Sequence, residues 1–144
     1  MDINRVIGHK NRLPWHKPED MRRFKELTTN QTVLMGKRTY DSLGKPLPNR
    51  ENIVLSTSQI KGVKTISSID EVRELNLDKL FVIGGEQTYR QFINQADVIK
   101  LTLIYQSYKG DSYFPSIPTY YTLTKSKSFE DMIFLTYHNQ LKLR

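Results

Sequence analysis

The chain has 144 residues, of which 26% are charged and 38% hydrophobic, and its formal net charge is +7. These values fit one domain, predicted over residues 1–144, and no apolar run approaches the ~20 residues of a membrane-spanning helix, so no membrane is expected as a partner. The absence of cysteine excludes disulfides and favours a reducing, cytoplasmic location. The basic residues do not interleave with aromatic ones, so no nucleic-acid partner is expected either.

Hydrophobic periodicity and turn residues predict helices alternating with strands, followed by strands alone. The predicted elements, in chain order, are a helix at 18–27, a strand at 32–36, a helix at 37–43, strands at 52–56 and 79–85 separated by a helix at 67–75, a helix at 86–95, and strands at 98–108, 120–129 and 132–143. Met21, Phe24 and Leu27 form the apolar stripe of the first helix, and Ser68 with Glu71 is typical of a capping box.

This order of elements predicts a fold class. Strands that alternate with helices are typical of a parallel sheet, and a run of strands alone is typical of antiparallel pairing. We therefore expect an α/β protein with a single domain, a central, mainly parallel twisted sheet, an antiparallel C-terminal hairpin and flanking helices.

Several familiar site motifs are absent from the sequence. His9, His16 and His138 have no paired ligand spacing, so we predict no metal site and place these residues at the surface or in loops. The Gly36-Lys37 pair lacks the earlier glycine of a P-loop, and there is no G-x-S-x-G nucleophile elbow.

Asp20 is a candidate functional residue, because a purely structural role does not require its position. It lies in the first turn of the first helix, four residues before Phe24 and seven before Leu27, which places it on the apolar face. The helix dipole would stabilise an acid there, but Glu19 already supplies that charge on the solvent side, and both interpretations stay open. The Trp15 side chain is typical either of packing or of a loop that closes over a ligand.

Polar residues follow two neighbouring predicted strands at their carboxyl ends. Lys37, Arg38 and Thr39 open a helix after the strand at 32–36, and Ser56-Thr57 closes the next strand. Backbone N–H groups, cations and hydroxyls at such a position suit a phosphate, although a solvated turn explains each set equally well. Because ligands of α/β proteins bind at the carboxyl ends of the strands, the two sets together favour a ligand site.

Four segments together resemble dihydrofolate reductase. In chain order they are NRVIGHKNRLPWHKPEDMRRFKELT, VLMGKRTYDSLGKPLPNRENIVLS, VIGGEQTYRQF and LTLIYQSYKGDSYFP, from about Asn4 to Pro115. The resemblance implies that a monomer reduces its small-molecule substrate 7,8-dihydrofolate to tetrahydrofolate with NADPH, the hydride adding to C6 and the proton to N5. Two alternatives are a non-catalytic relative with the same fold, such as a bacteriophage virion component, and a reductase that acts on another pterin or a riboflavin-pathway intermediate.

The resemblance also implies roles for single residues around the substrate. Asp20 would bind the pterin 2-amino group and N3, and Thr102 would hydrogen-bond that acid. Phe24 would form an aromatic wall, and Arg50 would bind the glutamate carboxylate, a bidentate task that suits a guanidinium. Catalytic positions would be Asp20, Trp15, Tyr89 and Thr102, with Tyr89 near the nicotinamide.

Other residues would hold the cofactor and its covering loop. The implied NADPH-binding residues are Lys37, Arg38, Thr39, Ser56, Thr57, Gly84, Gly85, Glu86 and Gln87, with a cis peptide bond between the two glycines and a helix N-terminus facing the pyrophosphate. Pro14 and Trp15 would belong to the loop that closes over the nicotinamide, and Asp111 would help to hold that loop.

The resemblance departs from the family at the N-terminus. Family members open with an apolar strand before the stretch at Asn4, whereas only three residues precede it here. Without that strand, two neighbouring strands would face an unpaired gap. We consider three explanations: a natural start upstream of this sequence, final strands that reorganise to fill the gap, and a relative with a structural role.

Overall fold

The structure is a computed structural model that describes residues 1–142. Its elements in chain order are β1 (Val6–Gly8), α1 (Pro18–Thr28), β2 (Thr32–Gly36), α2 (Lys37–Leu43), β3 (Glu51–Leu55), β4 (Lys64–Ile66), α3 (Asp70–Glu74), β5 (Phe81–Val82), α4 (Glu86–Phe92), β6 (Val98–Ile104), β7 (Ser112–Tyr113), β8 (Tyr121–Ser128) and β9 (Met132–Asn139). They fall into two compact units, one of Trp15–Gln91 and one of Met1–Pro14 with the residues from Phe92 onward. Across residues 1–142, no helix has the length and apolar character needed to cross a membrane.

The unit Trp15–Gln91 is built on a parallel sheet. Its strands lie in the order β4-β3-β2-β5, and each neighbouring pair is parallel. Val33, Leu34 and Met35 of the interior strand β2 are fully buried, which explains why its sequence is an uninterrupted apolar run rather than an alternating one. Val33 and Met35 pack with Val54 of β3 in the core of this sheet.

Proline and glycine mark helix ends in this unit, as the sequence predicts. α1 starts at Pro18, and α2 ends before Gly44, whose φ of +77° is a left-handed conformation that glycine adopts readily. The carboxylate of Glu71 accepts hydrogen bonds from the backbone N–H groups of Ser67 at 2.5 Å and Ser68 at 3.3 Å. In the described chain no side chain caps the start of α3, so only half of the predicted capping box is formed.

Some predicted boundaries in this unit are wrong. β4 was not predicted, because a three-residue strand carries no periodic signal. β5 spans Phe81–Val82 instead of 79–85, since the chain leaves the strand before the two glycines. α4 ends at Phe92 instead of residue 95, and the Phe92 carbonyl accepts the turn hydrogen bonds from Gln95 and Ala96, both at 2.9 Å.

The second unit contains two antiparallel sheets. β6, β9 and β8 form one in the order β6-β9-β8, and β1 pairs with β7 in the other. The predicted antiparallel hairpin at the C-terminus is therefore confirmed as β8 and β9, with a register shift between Leu123 and Lys125. The predicted strand at 98–108 ends at Ile104, and β1 and β7 are too short to give a sequence signal.

The first three residues run alongside β6. The Met1 ammonium donates to the Thr102 carbonyl at 2.7 Å, and the N–H of Ile104 donates to the Met1 carbonyl at 2.9 Å. The Ile3 N–H then donates to the Gln106 carbonyl at 3.1 Å. The two bonds of Met1, to positions two apart on β6, have the pattern of a parallel pair, and the bond of Ile3 falls beyond the end of β6.

Asp2 is a fully buried carboxylate in this unit. One oxygen accepts the backbone N–H groups of Asn4 and Val6, both at 2.8 Å, and the other accepts the N–H of Tyr108 at 2.7 Å. Charge-assisted bonds of this kind satisfy donors that neither strand pairing nor a helix reaches. Asp2 thus connects the start of the chain to the segment that follows β6.

Replacing Asp2 with alanine leaves these backbone donors without their acceptor, and we expect the free energy of unfolding to fall by about 2–4 kcal/mol. Urea denaturation monitored by circular dichroism measures the change. Asp78→Ala, at an exposed position, is the matched control and should stay within about 0.5 kcal/mol of the parent. Equal stabilities of the two variants would contradict the anchoring role of Asp2.

Candidate active site

Two strand ends of the unit Trp15–Gln91 approach each other at glycines. The N–H of Gly36, at the end of β2, donates to the carbonyl of Gly84 at 2.8 Å. A Cβ atom on Gly36 would lie 2.6 Å from Oγ1 of Thr88, so this approach requires glycine. Gly84 has a φ of +128°, and the Gly84-Gly85 peptide bond is cis, as the resemblance implies.

The polar residues after β2 and β3 lie at the same end of the sheet. Gly36 pairs with Leu55 in the parallel register, so Lys37 and Ser56 directly follow paired positions. The Ser56 hydroxyl accepts the N–H of Ser58 at 3.2 Å. The expectation that these two sets of residues share one edge is therefore met by the register of the sheet.

The other predicted cofactor residues lie beside the glycines, on α2 or α4, or just after β3. A Cβ on Gly85 would lie 3.3 Å from Oγ1 of Thr39, which places the threonine hydroxyl beside that backbone. Arg38, Thr57 and Gln87 are exposed. Lys37 and Glu86 form ion pairs on their own helices, Lys37 with Asp41 at 2.8 Å and Glu86 with Arg90 at 3.1 Å.

Tyr89 packs against these glycines, and the charge of the predicted catalytic acid acts on its phenol. Its hydroxyl oxygen would lie 3.4 Å from a Cβ on Gly84, and its N–H donates to the Gly85 carbonyl at 2.9 Å. Desolvation by burial, and secondarily the charge of Asp20, raise the pKa of Tyr89 to about 12. The phenol therefore stays neutral at physiological pH.

Asp20 lies in the first turn of α1, half-buried, with a polar partner from the preceding loop. The indole Nε1 of Trp15 donates to its Oδ2 at 3.3 Å. Burial lowers the pKa of Arg23, one helical turn later, and the charge of Asp20 opposes that effect. The acid thus faces an indole N–H and influences two further ionisable groups, Arg23 and Tyr89.

Phe24 and Arg50 lie side by side, as expected for a shared substrate wall. The Arg50 guanidinium carbon is 5.9 Å from the centroid of the Phe24 ring. Arg50 donates from Nε to Oγ1 of Thr28 at 3.2 Å and from one terminal nitrogen to the Pro48 carbonyl at 3.0 Å. Thr28 is buried and donates to the Phe24 carbonyl at 2.7 Å, so one hydroxyl orders both residues.

The residues of the predicted apolar stripe of α1 are exposed or half-buried and do not belong to the buried core. Met21 is 51% exposed and Phe24 38% exposed, and Leu27 is half-buried. A helix can carry an apolar face that no other part of the protein covers when that face serves a ligand. The exposed ring of Phe24 beside Arg50 fits this explanation.

Thr102, Asp111 and Pro14, which were also predicted to serve the site, lie in the unit that contains Met1–Pro14. Thr102 is buried on β6 and its carbonyl accepts the Met1 ammonium; its implied bond to Asp20 stays a prediction. Asp111 accepts the N–H of Lys10 at 3.0 Å and donates its own N–H to the Gly8 carbonyl at 2.9 Å. The hydrogen bond from the Lys10 N–H is the main reason that the pKa of Asp111 is lowered. Pro14 lies in the same loop as Lys10 and is half-buried.

Three comparisons with known proteins agree with this geometry. The sequence profile of the dihydrofolate reductase family matches residues 1–139. A dihydrofolate reductase of Staphylococcus aureus (strain Mu50 / ATCC 700699) is 40% identical over 117 residues, which cover 79% of this chain and 73% of that protein. One from Bacillus subtilis (strain 168) is 41% identical over 120 residues, covering 80% and 71%. The solved structure of the Enterococcus faecalis dihydrofolate reductase, complexed with NADP(H) and RAB-propyl, superposes with a TM-score of 0.88 at 32% identity, covering 96% of this chain and 91% of that one.

This chain belongs to the dihydrofolate reductase family. The predicted α/β fold and the prediction of an oxidoreductase that reduces dihydrofolate are thereby confirmed, and nothing in the comparisons favours a non-catalytic relative. In residues 1–142 no group of three or more potential metal ligands converges. His9 and His16 lie in loops as expected, whereas His138 lies on β9, with Nδ1 2.7 Å from Oγ1 of Thr124.

Thr28 and Thr88 are the residues of this dihydrofolate reductase site that the sequence did not indicate. Thr28 supports Arg50, and Thr88 fills the space beside Gly36. Nothing in the local sequence distinguishes these two threonines, because the residue that each one contacts is far away in the chain. The one usable signal was the glycine at the end of β2, which implies a close neighbour without identifying it.

The raised pKa of Tyr89 predicts a loss of stability at alkaline pH. An unfolded tyrosine ionises near its ordinary value of 10.0, whereas the folded residue keeps its proton until about 12. Above pH 10 the unfolded state therefore binds fewer protons, and the free energy of unfolding should fall with pH until about 12, by at most about 1.4 kcal/mol per pH unit for this group. Tyr121, also raised to about 12, adds a second contribution.

Urea denaturation below and above pH 10 tests this prediction. We expect the free energy of unfolding of Tyr89→Phe to fall less steeply with pH than that of the parent. Tyr105→Phe, at a position 46% exposed, is the matched control and should leave the slope unchanged. An identical slope in Tyr89→Phe and the parent would show that Tyr89 does not retain its proton on folding.

Proposed function

We propose that the residues brought together in the unit Trp15–Gln91 bind NADPH and dihydrofolate for the reduction of 7,8-dihydrofolate to 5,6,7,8-tetrahydrofolate. The observation that carries this proposal is the position of Tyr89. Its phenol lies against Gly84, where the strand ends meet, and its pKa responds to the charge of Asp20. The phenol of Tyr89 thus packs against a predicted cofactor glycine and is influenced by the charge of the predicted catalytic acid. We also propose that the protein acts as a cytoplasmic monomer with one domain.

The residues present fit NADPH. The hydrogen bond between Gly36 and Gly84 brings the starts of α2 and α4 together, and the Thr39 side chain lies beside the backbone of Gly85. The phosphates of NADPH require cations and hydroxyls. One strand end supplies Lys37, Arg38 and Thr39, and the next supplies Ser56 and Thr57. When bound, NADPH supplies the hydride that C6 of the pterin accepts.

Asp20 orients the pterin and favours its electron-poor form. Its carboxylate accepts hydrogen bonds from the pterin 2-amino group and N3, while the Trp15 indole already holds Oδ2 at 3.3 Å. A fixed negative charge beside the ring stabilises positive charge there, as protonation of N5 requires. Water delivers that proton, and Asp20 acts on the ring electrostatically.

Phe24 and Arg50 determine the substrate class. The exposed face of Phe24 packs against the aromatic part of the substrate, and Arg50 binds the glutamate carboxylate beyond it. An acid for the pterin, a ring for the aminobenzoyl group and a guanidinium for the carboxylate together match folate better than a pterin without a tail.

The direct test is the oxidation of NADPH, followed by absorbance, when dihydrofolate is added to the purified protein. We expect turnover in the parent and a loss of about 10²-fold or more in Asp20→Asn, because the substitution removes the charge but keeps the shape. Glu19→Gln removes a charge from the neighbouring residue and should leave turnover nearly unchanged. A folded parent without turnover, or equal losses in both variants, would contradict the proposal.

Thr28→Val should weaken folate binding through Arg50 without affecting the chemical step. It removes the acceptor for Nε of Arg50, so we expect KM for dihydrofolate to rise roughly threefold to tenfold at unchanged kcat. Thr29→Val is a close control, because Thr29 also donates to a carbonyl four residues earlier, that of Lys25 at 2.6 Å. A dihydropterin without the glutamate tail should show no effect of Thr28→Val, and the same rise in KM for both substrates would exclude a role in carboxylate binding.

A further inference from the structure

A small cavity lies at the amino-terminal end of the parallel sheet in the unit Trp15–Gln91. It has a volume of about 140 Å³, and its lining includes the first residues of three strands, which are Thr32 of β2, Glu51 of β3 and Lys64 of β4. Most of the remaining lining residues are apolar. The reaction proposed above uses none of these residues.

The length of the strands separates this cavity from the cofactor residues. β2 and β3 begin at the cavity, and the predicted cofactor residues follow their opposite ends. Each strand has five residues, which places its two ends about 13 Å apart. Arg50 precedes Glu51 in the chain, but its guanidinium is bound to Thr28 and Pro48, and none of these three residues lines the cavity.

The register of the sheet directs the lining side chains of the three strands to one face. Thr32 pairs with Glu51, and Ile53 pairs with Lys64. Paired residues of parallel strands share a face, and so do residues two apart on one strand, so all four side chains project together. A hydroxyl, a carboxylate and an ammonium group therefore adjoin the apolar side chain of Ile53 on one surface.

The segment that ends α3 supplies a second, apolar wall. Leu75 and Leu77 line the cavity, and Leu77 is 39% exposed. Parallel sheets are normally covered on both faces. α3 has only five residues, and the cavity lies where this short helix and the residues after it leave the end of the sheet open.

The two charged groups of the cavity are not neutralised by the protein. Glu51 and Lys64 are exposed, and within residues 1–142 neither forms an ion pair, with the other or with any further residue. One negative and one positive charge thus stand at the rim of an apolar surface. A ligand that carries both charges and an apolar body complements all three features.

We propose that this cavity binds a small zwitterion with an apolar side chain, an α-amino acid of about the size of leucine. The ammonium group of the amino acid binds Glu51, its carboxylate binds Lys64, and its side chain packs against Ile53, Leu75 and Leu77. A volume equal to about five molecules of liquid water excludes a nucleotide. Glu51 repels a polyanion, and a wholly apolar ligand leaves both charges without partners.

L-leucine is the probe, titrated at constant pH and ionic strength into the full-length protein while methyl signals are followed by NMR. The signals of Leu75 and Leu77 are each identified by substitution of the residue with valine. We expect both to shift saturably, with a Kd on the order of 1 mM for a ligand of this size. Glycine, which has no side chain to pack, should bind at least about tenfold more weakly.

Two derivatives of the probe test the two charge contacts separately. Lys64→Gln should weaken the binding of leucine by about threefold or more, but should not weaken that of leucinamide, which lacks the carboxylate. Glu51→Gln should weaken the binding of leucine similarly, but not that of N-acetylleucine, which lacks the ammonium group. Equal losses for leucine and its derivatives would contradict the assigned orientation and with it the proposed ligand class.

Glu26→Gln/Lys45→Gln is the matched control for Glu51→Gln/Lys64→Gln, because each double variant removes one exposed charge of each sign and keeps the net charge. The control should bind leucine as the parent does. The response should also persist when the titration is repeated with saturating NADPH, and again with saturating dihydrofolate.

Shifts that do not saturate, or equal weakening in the two double variants, would overturn the proposal by showing non-specific contact. A response that NADPH or dihydrofolate abolishes would overturn it by placing leucine in the reductase site. Because the titration does not depend on turnover, its outcome is independent of the NADPH oxidation assay.

Discussion

The hydrogen bond from the Gly36 N–H to the Gly84 carbonyl, 2.8 Å long, is the contact on which the candidate active site depends. It brings together the end of β2 and the chain just after β5, and thereby the start of both α2 and α4. Neither side of the contact tolerates a side chain easily, since Thr88 fills the space beside Gly36 and Tyr89 the space beside Gly84. The polar residues that open α2, and the glycines that precede α4, owe their proximity to this contact.

Electrostatics then distinguishes the two ends of the site. Toward the strand ends, hydroxyls and cations follow the register of β2 and β3 and create a surface suited to phosphate. Toward α1, a single carboxylate, Asp20, is held by the Trp15 indole and affects the ionisation of Arg23 and Tyr89. The two regions of this unit thus differ in charge, with cations and hydroxyls at the strand ends and a carboxylate on α1.

The elements with strong local signals were predictable from the sequence. The buried run of β2, the proline at the start of α1 and the glycine after α2 each act within a few residues, so their boundaries were close to those observed. The short strands β1, β4 and β7 were not predictable, because two or three residues show no period and their pairing is decided by distant partners. Periodicity also could not tell that the apolar face of α1 is largely exposed, because it identifies an apolar face but not what covers it.

For the site itself, the sequence alone determined the residue types and their order along the chain: the acid, the aromatic ring, the arginine, the paired glycines and the polar strand ends. These are local choices, and their sequence order was enough to indicate the family. Only the tertiary structure decided which of them meet and what supports them. The hydrogen bond between Thr28 and Arg50 and the packing of Thr88 against Gly36 are contacts between residues far apart in the chain. Such contacts are set by the packing of whole elements, which no local pattern encodes.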